Sequence, residues 1–173
     1  MSTEKHTHIT TVKTLMTASI IYFFCSMAGG VFYREFTKLF DFTGKTTLGV
    51  IHGHLLVLGT FFFLLLAVLC KFTALGDQKL FQKFFLIYNI AFPLMAVTLL
   101  IRGIVQVTGY PMTRMLNGML SGFAGLSHIF LAVALFLLLL AVKKELCNES
   151  AKYFLAKVLL DKCNFFSYPL ARE

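Results

Sequence analysis

Residues 46–70 read TTLGVIHGHLLVLGTFFFLLLAVLC, a stretch without a single Asp, Glu, Lys or Arg and with two histidines, His52 and His54, near its start. A helix rising ~1.5 Å per residue crosses a hydrocarbon layer of ~30 Å in about 20 residues. This stretch is therefore long enough to span a bilayer. The same absence of charge marks residues 14–33, 84–101 and 115–142, and only Arg102 interrupts the continuation of the third stretch to Val107. Four membrane-spanning helices are expected.

The whole composition agrees. Apolar residues make up 58% of the 173 and charged residues only 14%, well below the quarter or so that a soluble domain carries. The formal charge of +8 does not point to nucleic acid, because the basic residues fall in the connections and tail, where they set orientation. If the termini share one side, that side carries Lys5, Lys13, Lys71, Lys79, Lys83, Lys143, Lys144, Lys152, Lys157, Lys162 and Arg172. The other side carries Arg34, Lys38, Lys45, Arg102 and Arg114. This imbalance predicts an antiparallel four-helix transmembrane bundle of all-α class with both termini cytoplasmic. The first span reads as a retained helix, since three more follow it and no small-residue cleavage site ends a short apolar core.

The organisation follows from these spans. Residues 1–12 are expected to be a flexible segment, 13–144 the four-helix transmembrane domain and 145–173 a cytoplasmic tail, with a short interfacial helix at 151–160. Gly109, Tyr110 and Pro111 end the third helix, and Thr113 caps the fourth. Pro93 falls inside the third helix, where a kink is expected. Cys25, Cys70, Cys147 and Cys163 imply no disulfide framework. Phe61, Phe62 and Phe63 face lipid or fill gaps between helices.

Three histidines inside the spans carry the strongest functional signal, because an imidazole in hydrocarbon costs free energy unless its nitrogens find partners. Two positions at ~100° each turn His52 and His54 toward nearly opposite flanks of one helix. They do not share an ion, unlike the i, i+4 pair of a helical zinc site. On the fourth helix Gly118, Ser121, Gly122, Gly125 and His128 follow three- and four-residue steps, a small-residue groove that admits a neighbouring helix or the flat face of a porphyrin. Gly49 and Gly59 clear space beside His52 in the same way. Arg34 and Arg102 are expected near the external surface, able to meet anionic groups such as haem propionates or to anchor helix ends with Glu35 and Gln106. Asn89, Ser121 and Ser127 are candidate acceptors for the second ring nitrogen of a ligating histidine.

The segments AGGVFYREF at 28–36, HGHLLVLG at 52–59, RGIVQ at 102–106 and SGFAGLSH at 121–128 together resemble a bacterial family of small four-helix membrane proteins of unknown function, over about residues 12 to 144. That resemblance implies a fold and a multi-pass location in the bacterial cytoplasmic membrane, and no activity. A more distant similarity, by analogy of spacing, is to the haem-copper oxidase catalytic subunit, in which a His-x-His pair on the second helix of a four-helix arc ligates two haems.

The expected function is a membrane b-type haem protein for electron transfer or small diatomic ligand binding, with haem b held by His54 and His128 and with Arg34, Arg102, Gly59, Gly122 and Gly125 around it. In a second arrangement the second helices of two protomers supply His52 and His54 across an oligomer interface. Two other functions compete. One is a cofactor-free transporter or structural protein that uses its histidines for proton transfer or packing. The other is a copper protein that joins histidine with Met27, Met95 or Cys25. Expected partners are the lipid bilayer, further copies of the chain and a redox partner, with no nucleic acid.

Overall fold

The computed structural model describes the backbone of residues 2–166 and the side-chain surroundings of residues 11–148. All regular structure in it is helical. Helix α1 covers Ser2–Leu39, so it takes in the segment expected to be loose. The second span has three parts: α2 (Leu48–His54), a π-helical segment (Leu55–Phe61) and α3 (Phe62–Phe72). A short 3-10 turn, Ala74–Asp77, leads into α4 (Lys79–Thr108), and α5 runs from Arg114 to Phe166. Residues 151–160 are part of this continuous helix. The interfacial character expected of that stretch and the end of the expected tail lie outside the described residues.

Four helices are long and apolar enough to cross a membrane: Thr11–Leu39, Leu48–Phe72, Lys79–Thr108 and Arg114–Asn148. The stop between the last two is the expected one. Gly109 takes a left-handed φ of 63°, which a glycine adopts without the Cβ penalty. Thr113 then accepts the backbone N–H of Leu116 at 3.3 Å as the cap of α5. Pro93 lies within the unbroken α4.

The helices form an open row. The second span packs against both α1 and α4, α5 packs along α4, and among the described residues α1 has no extended backbone contact with α5. Tyr33 sits against Gly49, the backbone of Gly30 against His52, and Tyr22 against Gly59. Leu48 meets Gly103 so closely that a Cβ added at Gly103 would stand 2.7 Å from the Leu48 backbone nitrogen. At the other end of the row, the buried Glu145 of α5 accepts the Ala74 N–H at 3.0 Å and the Gln78 amide at 2.6 Å, tying down the turn.

The core between the second span and α4 is aromatic. Tyr88 lies 5.1 Å from Phe62 and 5.5 Å from Phe92, and Tyr22 stacks on Phe63 at 5.5 Å. Phe61, Phe62 and Phe63 divide by direction: Phe63 is fully buried and Phe61 is 57% exposed. Backbone carbonyls of the second span receive hydroxyls from both neighbours. Ser26 donates to His52 O at 2.7 Å, Tyr88 to Leu58 O at 2.7 Å and Ser19 to Thr60 O at 2.9 Å. In an apolar surrounding such bonds matter because no water competes for the carbonyls.

Candidate functional site

His52 and His54 emerge from α2 on its two flanks. His52 lies on the α1 flank, where its ring base is 3.6 Å from a Cβ built on Gly30. His54 is half-buried on the other flank, and its Nδ1 lies 2.8 Å from the carbonyl of Val50, one turn earlier. On α5, His128 repeats the pose: Nδ1 lies 2.7 Å from the carbonyl of Ala124, again four residues back. A carbonyl only accepts, so Nδ1 of each ring carries a proton. In the neutral imidazole Nε2 is then the lone-pair nitrogen, available to a metal or a donor.

These partners differ from the ones expected. Asn89 donates to Phe85 O and accepts from Tyr22, Ser121 donates to Asn117 O, and Ser127 donates to the same Ala124 carbonyl that His128 uses. The acceptors for the histidines are main-chain groups of their own helices. The signal that could have found them is the spacing itself, since any helical histidine has a carbonyl four residues behind it.

The arginines separate. Arg102 Nη2 donates to Ser121 Oγ at 2.8 Å and links α4 to α5. Gln106, one turn on, accepts the Thr47 N–H at 2.8 Å and so covers an unpaired donor at the start of α2. Arg34 instead stands exposed beside Glu35, with Nε 3.7 Å from Oε1.

The small residues separate as well. The space cleared by Gly59 is filled by Tyr22 and that beside Gly49 by Tyr33. In front of Gly118, Gly122 and Gly125 nothing lies within 4 Å of an added Cβ. Helices α2 and α5 both contact α4 and, among the described residues, have no extended backbone contact with each other. Among the described residues, no three of His, Cys, Asp and Glu come together as a metal site. Met27 and Cys25 are exposed on α1, whereas Met95 is buried in α4.

Four helices long and apolar enough to cross a membrane are the features of a multi-pass, all-helical membrane protein, and along them His54 is half-buried while His52 and His128 are exposed. Residues 12–145 match the family described as protein of unknown function (DUF2871), and the chain belongs to that family. No curated protein and no solved structure matches the chain, so the analogy with haem-copper oxidases gains no support from them.

Proposed function

We propose that the protein is a b-type haem protein of the bacterial cytoplasmic membrane, with His54 and His128 as axial ligands and His52 serving a different partner. The observation that carries this proposal is the shared pose of the two rings, each with Nδ1 tied to a carbonyl one turn back and Nε2 left free. That is the tautomer and orientation a ligating imidazole needs, fixed before any metal arrives.

Depth supports the pairing. Leu48 packs at Gly103 and Ser121 bonds Arg102, so these two contacts are one residue apart on α4. His54 is six residues beyond Leu48 and His128 seven beyond Ser121, about 9 and about 10 Å further along their helices at ~1.5 Å per residue. The contact pairs along successive helices run in opposite senses, and we take the bundle as antiparallel, so both rings lie at one level. The excess of Lys and Arg on the side of the termini orients that side to the cytoplasm.

The residues fit the group. Two imidazoles with free Nε2, open space before Gly122 and Gly125, and a cation at Arg102 suit a flat, iron-centred, anionic ligand. The scattered sulfur atoms of Cys25, Met27 and Met95 suit copper less well. A bound haem would supply one-electron chemistry or a coordination position for a diatomic ligand. The chain's own part is to hold two neutral imidazoles in fixed orientation, exclude water and neutralise anionic groups with Arg102. A pyridine haemochrome assay together with metal analysis of the purified protein tests the proposal. About one haem b per chain, or per pair of chains, is expected, and protein with copper or with neither group contradicts it.

A further inference from the structure

The π-helical segment Leu55–Phe61 begins at the residue after His54. Its last bond pattern has one carbonyl missing. The N–H of Phe62 reaches Gly59 O and Val57 O, three and five residues back, and skips Leu58 O, the acceptor that an α-helix would use. Leu58 O is bonded instead by the phenol of Tyr88, 2.7 Å away on α4. Tyr88 is 1% exposed and wedged between Phe62 and Phe92, so its hydroxyl has no solvent to turn to. Two residues further on, Ser19 of α1 donates to the carbonyl of Thr60.

We infer that Tyr88 is a positioning residue for His54: its hydroxyl removes the Leu58 carbonyl from the helical ladder and thereby holds the π turn that sets how His54 is presented. A π turn carries one residue more than the α-helix it interrupts, so it re-phases everything on one side of it relative to the other. The cytoplasmic half of the span is locked by Phe63, Leu66 and Cys70 in the core. The half that the turn re-phases is α2, with Val50, His52 and His54 on it, seated by Leu48 against Gly103 and by Ser26 at the His52 carbonyl. If the Leu58 carbonyl returns to Phe62, the segment relaxes toward an α-helix and α2 turns against α1 and α4. The value of this orientation to the protein rests on the haem proposal, but the orientation itself does not.

Diethyl pyrocarbonate acylates the unprotonated imidazole nitrogen, here Nε2, and peptide mass spectrometry gives the rate at His54 with His128 as the internal reference. The full-length protein, purified in nanodiscs, is compared with Tyr88→Phe, which loses only the hydroxyl. A second variant deletes Val57, an exposed residue of the π segment, and removes the extra residue while keeping Tyr88. We expect the His54 to His128 rate ratio to change by about fivefold in Tyr88→Phe, the factor that one neutral hydrogen bond is worth, and to change in the deletion as well. An unchanged ratio in Tyr88→Phe overturns the inference, whether or not the deletion alters it. If Tyr88→Phe does not fold, the deletion decides, and an unchanged ratio there overturns it. A haemochrome assay on the same samples separates the two proposals. Haem-free protein with a shifted ratio defeats the haem proposal alone; in haem-loaded protein, where both Nε2 atoms would be ligated and unreactive, the position of the reduced α band replaces the ratio, and a band unmoved in Tyr88→Phe defeats the role of Tyr88 alone.

Discussion

Arg102 of α4 donates to Ser121 of α5 across 2.8 Å, and Ser121 is two helical turns from His128 on the same face of α5. The guanidinium therefore ties the two helices together two turns from His128. It has further N–H donors left to meet an anion.

Replacing Arg102 with Gln is expected to lower haem retention about tenfold or more, since hydrogen bonds to charged groups contribute roughly 1.5–3 kcal/mol. Arg34→Gln is expected to leave retention unchanged, because Arg34 is exposed beside Glu35. Haem-to-protein ratios after detergent washing measure both. Equal loss in the two variants would mean that position in the bundle is irrelevant and only total charge matters.

Gly103 and Gly125 make a matched pair for stability. A Cβ at Gly103 would stand 2.5 Å from Leu48 Cγ and 2.7 Å from its backbone nitrogen, whereas nothing lies within 4 Å at Gly125. Overpacking typically costs ~1–3 kcal/mol, so Gly103→Ala should unfold at a clearly lower temperature in detergent while Gly125→Ala unfolds with wild type. Similar melting of both variants would show that α2 and α4 are not in close backbone contact there.

How much of this was legible in the sequence differs residue by residue. The spans were legible because charge is excluded from long windows, and the end of α4 because Gly109 and Pro111 act locally. The π turn was not, since it depends on Tyr88, thirty positions from Leu58, reaching one particular carbonyl. Gly59 and Gly122 look alike in a sequence, yet one is covered by Tyr22 and the other faces open space. A glycine records that space was needed and leaves unsaid what fills it. The ring partners of His54 and His128 are not legible as side chains because they are main-chain carbonyls of the same helices, and depth alone does not separate the exposed Arg34 from Arg102, which bonds Ser121.

Glu145 holds the turn between the second and third spans through the Ala74 N–H and the Gln78 amide. Glu145→Ala removes two charge-assisted hydrogen bonds from part-buried donors, worth roughly 1.5–3 kcal/mol each at most. Faster hydrogen exchange across residues 73–78 and a lower melting temperature are expected. Exchange indistinguishable from wild type would mean that the turn is held by other contacts.

The orientation is testable with single cysteines in a background whose native Cys25, Cys70, Cys147 and Cys163 have been replaced. A cysteine at Lys45 should react with an impermeant thiol reagent in intact cells, and one at Ala171 should react only after lysis, as the Lys and Arg imbalance requires. Ready labelling at position 171 in intact cells inverts the topology.

The optical spectrum of the purified protein and of its three histidine variants tests the central claim most directly. The wild-type protein should show a Soret band with sharp α and β bands on reduction. That low-spin signature should be lost in His54→Ala and in His128→Ala and kept in His52→Ala. Loss in His52→Ala and His54→Ala with retention in His128→Ala would contradict the His54–His128 pair and assign ligation to second helices of neighbouring protomers. A wild-type protein without a Soret band, or one spectrum common to all four proteins, would contradict histidine ligation altogether.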